Sequence, residues 1–164
     1  MLKEKVDKLV DKYLDEVISI RRHIHQNPEL SLKEFETSKF VANELRKIGL
    51  EAQEGVGKTG VVSNLNLGKG EKTLMLRADM DALPIQEETG LPFSSKNPGV
   101  MHACGHDIHT SILLGVTKVL NEIKDEINGN VKFVFQPAEE NNPVGGAPLM
   151  IKEGVLENPH VDNA

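Results

Sequence analysis

Apolar residues recur every three or four positions between residues 2 and 48, and this spacing predicts two amphipathic helices. The first is predicted over residues 2–25 and ends at Asn27-Pro28, because a proline disfavours helical backbone in the residue before it. The second follows Ser31-Leu-Lys-Glu34, which has the spacing of a capping box, and ends at Gly49. The N-terminal third of the chain is therefore predicted to be helical.

Three later segments have the composition of strands: residues 61–67, 73–78 and 131–135. Gly68-Lys-Gly70 between the first two is a hairpin signal. An apolar periodic run predicts a helix over residues 108–125, and a short helix over about 146–153 closes at Gly154. Helices that alternate with strands in this way predict a three-layer α/β sandwich with a mixed sheet.

Two segments do not fit a regular element. The loop from Asp79 to Ala103 is long for a compact domain, and loops of this length are usually functional. Residues 158–164 carry neither capping nor terminating signals and resemble the lead-in to another strand. We therefore expect the chain to be part of a longer polypeptide.

Composition narrows the class of protein. The 164 residues carry a net charge of −6, and no basic cluster with interleaved aromatic residues is present, which argues against a nucleic-acid surface. A single cysteine excludes an intrachain disulfide and fits a reducing compartment. The charged, amphipathic N-terminus does not resemble a signal peptide, and no apolar run reaches membrane-spanning length. We expect a soluble cytoplasmic protein.

The densest chemistry lies at Met101-His-Ala-Cys-Gly-His-Asp-Ile-His-Thr110, which contains three of the six histidines and the only cysteine. Cys104 and His106 precede a predicted helix whose N-cap is expected near Asp107 or Thr110. The positive end of the helix dipole should favour a thiolate there. A thiolate and an imidazole two residues apart are a natural start for a transition-metal site.

Acidic pairs follow two of the predicted strands: Asp79 and Asp81 after residues 73–78, and Glu139 and Glu140 after residues 131–135. Sites in open α/β sheets assemble at the carboxyl ends of strands, so these groups should converge with Cys104. Adjacent glutamates in a β-like segment point in opposite directions, so one could bind a cation while the other reaches a water molecule.

Each of these signals also has a simple structural explanation. The aspartates could form a turn, the glutamates could be a solvated pair, Cys104 could be a small buried hydrophobe and His106 a structural histidine. Their joint occurrence at three element ends favours a metal site.

Two further patterns resemble functional motifs but have weak support. Residues 52–59 resemble a loose phosphate-binding loop, but no strand is predicted at Leu50-Glu51 and the chain continues as β after Gly60. His23 and His25 lie about 200° apart around a helix and cannot share a metal on one face. We interpret them as surface or packing residues.

Three motifs together resemble the M20 metallopeptidase clan. They are Arg77-Ala-Asp-Met-Asp-Ala-Leu-Pro84, His102-Ala-Cys-Gly-His-Asp-Ile-His-Thr110 and Gln136-Pro-Ala-Glu-Glu140. Within the clan they are similar to the amidohydrolase branch, which includes N-acyl-amino-acid, hippurate and auxin-conjugate hydrolases and N-acetyldiaminopimelate deacetylases. The resemblance implies a zinc-peptidase-like catalytic domain and two divalent metal ions, which could be zinc, manganese, cobalt or nickel.

The resemblance also implies roles for individual residues. Cys104 matches the bridging metal ligand, His106 a terminal ligand and Glu140 a further ligand. Glu139 matches the general base and Asp81 the aspartate that supports the site, whereas the role of His109 stays open. The implied reaction is hydrolysis of the amide bond of an N-acyl amino acid or short peptide.

The chain also departs from the family pattern. Members of the family are over twice as long and carry a lid and dimerisation domain, a resumed catalytic part and two further metal histidines. We expect residues 1–164 to be the N-terminal part of the catalytic domain, inactive alone, from a parent that forms a homodimer or a higher oligomer. A histidine a few residues beyond Ala164 is expected to be a ligand, so His160 should not be taken for it.

The loop at residues 141–144 also differs from the family's glycine-rich run. It could reshape the pocket or be a solvated loop. An M20 dipeptidase or carboxypeptidase, and a non-catalytic binding protein with the same fold, are the alternative functions.

Overall fold

The computed structural model describes residues 1–67, 70–141 and 143–164. Its elements are α1 (Leu2–Gln26), α2 (Phe35–Lys47), β1 (Gln53–Val56), β2 (Gly60–Asn66), β3 (Thr73–Asp79), α3 (His106–Glu122), a 3₁₀ turn (Lys124–Glu126), β4 (Asn130–Gln136) and α4 (Ala147–Lys152). The predicted helices and strands are confirmed within a few residues. β1 was not predicted, because its exposed Gln-Glu-Gly sequence lacks an apolar pattern.

The four strands of the described chain form a mixed sheet in the order β1-β2-β4-β3. β2 pairs antiparallel with both β1 and β4, and β3 pairs parallel with β4. The predicted hairpin between β2 and β3 is therefore wrong, because β4 lies between them. Residues 131–136 are all buried, as expected for a central strand covered on both faces. Gly68 and Lys69 of the predicted turn lie outside the described residues.

Helices cover both faces of the sheet. α1, α2 and α3 bury one face over a core that includes Ile24, Leu45, Leu114, Phe133 and Phe135. α4 covers the other face, where Met150 packs with valines of β1, β2 and β4. The predicted three-layer α/β sandwich with a mixed sheet is confirmed. Within the described residues, no helix is long and apolar enough to cross a membrane.

The capping box predicted for α2 is wrong, because tertiary contacts take up both of its polar residues. The Ser31 hydroxyl donates to Asp81 Oδ2 at 2.6 Å, and the Glu34 carboxylate is fully buried between other partners. Glu29 caps the helix instead, since its carboxylate accepts the backbone N–H and the hydroxyl of Thr37, both at 2.8 Å. Because Glu29 caps the helix, Ser31 and Glu34 are available to bond Asp81 and Ala138, which follow β3 and β4.

The hairpin between β1 and β2 excludes a phosphate-binding loop, because strand follows strand with no helix. Gly55, Gly57 and Lys58 adopt positive φ angles at its tip, and the pairing register shifts there. The tip packs on α4: a Cβ at Gly57 would lie 2.7 Å from Met150 Cγ, so only glycine fits.

The C-terminal residues pair with the outer edge of β3. Asn163 forms a parallel bridge to Leu74, and its carbonyl accepts the Met75 N–H at 2.8 Å. Residues 158–164 were predicted to lead into a strand, and within them the structure shows one isolated bridge, at Asn163. Upstream, the buried Lys132 ammonium donates to the carbonyls of Val155, Glu157 and Pro159 at 2.7–2.9 Å and fixes the path of this segment.

Candidate metal centre

Two distant parts of the chain, residues 104–106 and the turn at Glu140, meet at the carboxyl ends of β3 and β4, beside the N-terminus of α3. Cys104, His106 and Glu140 each offer a ligand atom there, and these atoms all lie within 4.8 Å of one another. A sulfur, an imidazole nitrogen and a carboxylate oxygen form a donor set that suits zinc and other borderline divalent ions. The predicted convergence of the site residues is thus present in the structure.

The α3 helix begins at His106, two residues before its predicted start. Gly105 precedes it with a φ of 89°, a left-handed conformation that favours glycine, and thereby turns the chain from Cys104 into the helix. His106 is 2% exposed because it lies in the first turn of the helix, against the end of β3.

Asp81 orients the His106 ring. His106 Nδ1 lies 2.9 Å from the Asp81 carbonyl oxygen and 3.2 Å from Asp81 Oδ1, so a proton on Nδ1 leaves Nε2 available as a ligand. Burial lowers the pKa of His106, but the Asp81 hydrogen bond and the Asp79 charge outweigh it and raise that pKa overall. A cation must therefore compete with a proton for Nε2.

Asp81 also fixes the segment that carries the two glutamates. Its carboxylate accepts the backbone N–H groups of Glu139 and Glu140, each at 3.0 Å, in addition to the Ser31 hydroxyl. Burial raises the pKa of Asp81, but hydrogen bonds from His106, Ser31 and these two N–H groups outweigh it and hold the pKa at about 2. Asp81 is thus an ionised link between the histidine and the glutamates.

Glu139 and Glu140 lie in a turn, so the β-like alternation predicted for them is wrong. Both carboxylates approach His106 Nε2, Glu139 Oε2 at 3.8 Å and Glu140 Oε1 at 4.0 Å. They differ in exposure: the Glu139 side chain is 42% exposed and that of Glu140 is 24% exposed. Glu139 is the more accessible of the two to a water molecule or a substrate.

Cys104 is exposed, which excludes the buried-hydrophobe interpretation. The predicted thiolate is wrong for the metal-free chain: a hydrogen bond with Glu140 raises the pKa of the Cys104 thiol, and burial and nearby carboxylates raise it further. A thiolate at Cys104 thus needs a bound cation.

A second group of candidate ligands, Asp79, His106 and His109, shares His106 with the first. Asp79 Oδ2 lies 3.3 Å from His106 Nε2 and 3.5 Å from His109 Nδ1. Its other oxygen pairs with Arg77 at 2.8 Å, so Asp79 is already neutralised by an arginine. The sequence signal for this group was the Asp-x-Asp pattern at the end of β3, but the pairing with His109 was not predicted.

A buried network that was not predicted lies behind the loop that carries Cys104 and leads into α3. Asp107 Oδ2 pairs with Arg21 Nε at 2.7 Å and His25 Nδ1 at 2.8 Å, and His25 Nε2 lies 3.2 Å from Glu87 Oε1. His25 was interpreted as a surface or packing residue, but it is buried and its two ring nitrogens contact the carboxylates of Asp107 and Glu87. Because Asp107 follows His106 directly, the network anchors the first turn of α3 to α1.

His102 and His23 are also placed by the structure. His102 is buried, and neither of its ring nitrogens has a hydrogen-bond partner within the described residues. Burial lowers the pKa of His102 to about 4. His23 stacks on Phe40 at 4.3 Å, away from the candidate ligands, as expected of a packing residue.

Comparison with known proteins agrees with this geometry. Residues 75–164, more than half of the chain, match the model of peptidase family M20/M25/M40. The chain is 53% identical over 156 residues to thermostable carboxypeptidase 2 of Saccharolobus solfataricus, covering 94% of this chain and 40% of that protein. It is 47% identical over 157 residues to the N-acyl-L-amino acid amidohydrolase of Geobacillus stearothermophilus, covering 96% and 42%.

Among solved structures, the chain resembles the YXEP protein of Bacillus subtilis, a dinuclear metal-binding peptidase of the M20 family. The TM-score is 0.83 at 42% identity, covering 89% of this chain and 40% of that one. The chain belongs to peptidase family M20/M25/M40, so the resemblance recognised in the sequence motifs is confirmed. It spans about 40% of the length of these relatives.

Proposed function

We propose that this chain supplies the first ligands and the general base of a metal-dependent amidohydrolase that cleaves the amide bond of N-acyl amino acids. The observation that carries this proposal is the grouping of Cys104, His106 and Glu140 within 4.8 Å, with the Glu139 carboxylate beside them. The amide bond and acyl-amino-acid substrate are suggested by the name of the Geobacillus relative.

Cys104, His106 and Glu140 would hold divalent metal, and the sulfur favours zinc over the harder manganese ion. Bound ions would supply Lewis acidity toward the substrate carbonyl and acidify the attacking water. A centre of two ions needs more than three protein ligands, so the remainder would come from parts of a longer parent. A lid, dimerisation and a cytoplasmic location stay predictions for that parent.

Glu139 would take the proton from the attacking water and deliver it to the leaving amine. The Glu139 carboxylate is the more exposed of the two glutamate carboxylates. Within the described residues, Asp81 bonds Glu139 only at its backbone N–H and the Cys104 thiol bonds Glu140, so the Glu139 carboxylate is free to accept a proton. Asp81 would hold the His106 tautomer in place, together with the turn that carries Glu139 and Glu140, which we call the glutamate turn. These roles match general acid–base catalysis beside a metal centre.

The experiment that tests this proposal compares the full-length parent with its Glu139→Gln variant. Metal content is measured by mass spectrometry, and hydrolysis of N-acetyl and N-benzoyl amino acids is measured with the metal-loaded protein. The variant should keep its metal and lose about 10²–10⁴-fold in kcat. Glu71→Gln, on an exposed residue near the opposite end of β3, is the control and should match wild type. A metal-loaded Glu139→Gln enzyme with unchanged kcat would show that the general-base role is wrong.

A second candidate is a carboxypeptidase, which is favoured by the name of the Saccharolobus relative at 53% identity. Both activities would release an amino acid from the nitrogen side of the cleaved bond. They differ in the group on the carbonyl side, which is a simple acyl group for the amidohydrolase and an aminoacyl or peptidyl group for the carboxypeptidase. Parallel assays with N-acyl amino acids and with dipeptides and tripeptides separate them. A kcat/KM at least tenfold higher for peptides would favour the carboxypeptidase.

A further inference from the structure

Glu34 is a fully buried carboxylate that takes no part in the ligand set. It accepts the Thr59 hydroxyl at 2.5 Å and the Ala138 backbone N–H at 2.8 Å. A buried carboxylate is costly unless its hydrogen bonds are satisfied, so these contacts define its position closely. Ala138 directly precedes Glu139, and Glu34 therefore acts on the segment that carries the candidate general base.

Ala138 has an unusual backbone conformation. Its φ is 53°, in the left-handed region that non-glycine residues rarely adopt, so surrounding contacts must hold it there. Glu34 holds its N–H, and the Gly146 N–H donates to its carbonyl at 3.0 Å. The peptide groups on both sides of this residue are thereby fixed.

Two buried carboxylates share the work of holding the glutamate turn. Glu34 binds the N–H of Ala138, and Asp81 binds the next two N–H groups, those of Glu139 and Glu140. Three successive backbone donors thus point at two anions. The directions in which the Glu139 and Glu140 side chains leave the backbone depend on both contacts.

The β1–β2 hairpin supports Glu34 from behind. Thr59 lies at its tip and is 1% exposed, and a Cβ at Gly60 would come within 3.0 Å of Pro137 Cδ. The hairpin tip therefore packs directly against the start of the glutamate turn. This gives the glycine-rich stretch at residues 55–60, which resembles a phosphate loop in sequence, a structural link to the metal centre.

We propose that Glu34, held by Thr59, is a positioning residue that fixes the Glu139–Glu140 turn in the geometry needed to bind metal. Its effect on metal binding rests on the proposed function, whereas its hold on Ala138 does not. Asp81 sets one end of the turn next to His106, and Glu34 sets the other end next to the hairpin.

The test uses Glu34→Ala, Glu34→Gln and Thr59→Val in the full-length parent, with Glu44→Ala as the matched control. Glu44 is a buried glutamate of α2 that pairs with Lys47 and Lys118, away from the candidate ligands. Two quantities are measured: hydrogen exchange of the Ala138 amide in the metal-free protein, and the Kd for Zn²⁺ by competition with a chromophoric chelator.

We expect Glu34→Ala to lose protection at Ala138 and to bind Zn²⁺ about 10–100-fold more weakly, the usual effect of removing a group that orients metal ligands. Glu34→Gln should restore most of the Ala138 protection and most of the Zn²⁺ affinity, because an amide oxygen accepts the Ala138 N–H. Thr59→Val should shift both quantities in the same direction by less. Glu44→Ala should lower the melting temperature and leave both unchanged.

The inference is overturned if Glu34→Ala leaves Ala138 protected, or if Glu44→Ala weakens Zn²⁺ binding as much. Should Glu34→Ala fail to fold, an unchanged Ala138 exchange rate in Thr59→Val overturns it equally. If wild type binds no divalent ion, the proposed function fails, and loss of Ala138 protection in Glu34→Ala still supports the positioning role.

Discussion

Lys132→Met is expected to destabilise the fold by about 2–4 kcal/mol, and the structure supplies the reasoning. Lys132 is 1% exposed in β4, and its ammonium donates to three backbone carbonyls. Methionine keeps the apolar part of the side chain and removes every donor. The bond to the Val155 carbonyl is fully buried, and losing it costs about 1–3 kcal/mol.

The other two carbonyls are partly buried and can recover water, so each adds about 0.5–1 kcal/mol. Burial desolvates the Lys132 ammonium and lowers its pKa, and methionine recovers part of that desolvation cost. The net destabilisation of about 2–4 kcal/mol corresponds to a fall in melting temperature of about 5–12 °C.

Urea unfolding and calorimetry measure this change, with Lys152→Met as the control. Lys152 is exposed on α4 and should shift stability by at most about 0.5 kcal/mol. A Lys132→Met protein within about 1 kcal/mol of wild type would refute the reasoning, because the three carbonyls would then not depend on the ammonium.

Other predictions follow from single residues. Glu87→Gln should cost about 2 kcal/mol at pH 7, because hydrogen bonds from a hydroxyl, a backbone N–H and an imidazole outweigh burial and lower the pKa of Glu87 to about 2. This stabilisation is present above the ordinary pKa of 4.5 and is lost as the pH falls towards 2. Urea unfolding between pH 2 and 7 should therefore show the stabilities of the variant and wild type converging in acid, and a constant difference in stability would contradict the prediction. Gly146→Ala should abolish the native fold around the glutamate turn, since its Cβ would lie 1.9 Å from Pro137 O, and an unchanged melting curve would disprove the clash. Cys104→Ser should weaken Zn²⁺ binding more than Mn²⁺ binding, as measured by chelator competition, because a hydroxyl lacks the softness of sulfur; an equal loss for both ions would argue against a sulfur ligand. Phe133→Ala should cost about 3–5 kcal/mol in calorimetry, because its side chain is fully buried between the sheet and the helices.

The elements with strong local periodicity could be predicted from the sequence, and the pairing of distant elements could not. α1 shows a clear apolar stripe, and β4 is a continuous apolar run. The glycines at residues 68–70 gave a local hairpin signal, but β2 pairs with β4, which is separated from it by a whole crossover. The residues of a turn do not show which distant strand will pair with β2.

The same limit applies to the site. The positions of Cys104, His106 and Glu140 at element ends predicted their convergence, because strand polarity brings such ends together. By contrast, Ser31 and Glu34 have the residue types of a helix cap, and only the tertiary fold shows that Asp81 and Ala138 take up their hydrogen bonds instead. The pairing of His25 with Asp107 spans 82 positions and has no sequence signature.

The three candidate ligands lie on two separate pieces of the chain: the start of α3 with the loop before it, and the turn after β4. An ion bound by all of them would cross-link those pieces, so its binding energy would be added to the energy of folding. At a free ion concentration 100 times Kd this linkage is worth about 2.7 kcal/mol. The site proposed for catalysis would then also stabilise the fold, and chelation of the ion would lower the melting temperature of the metal-loaded protein.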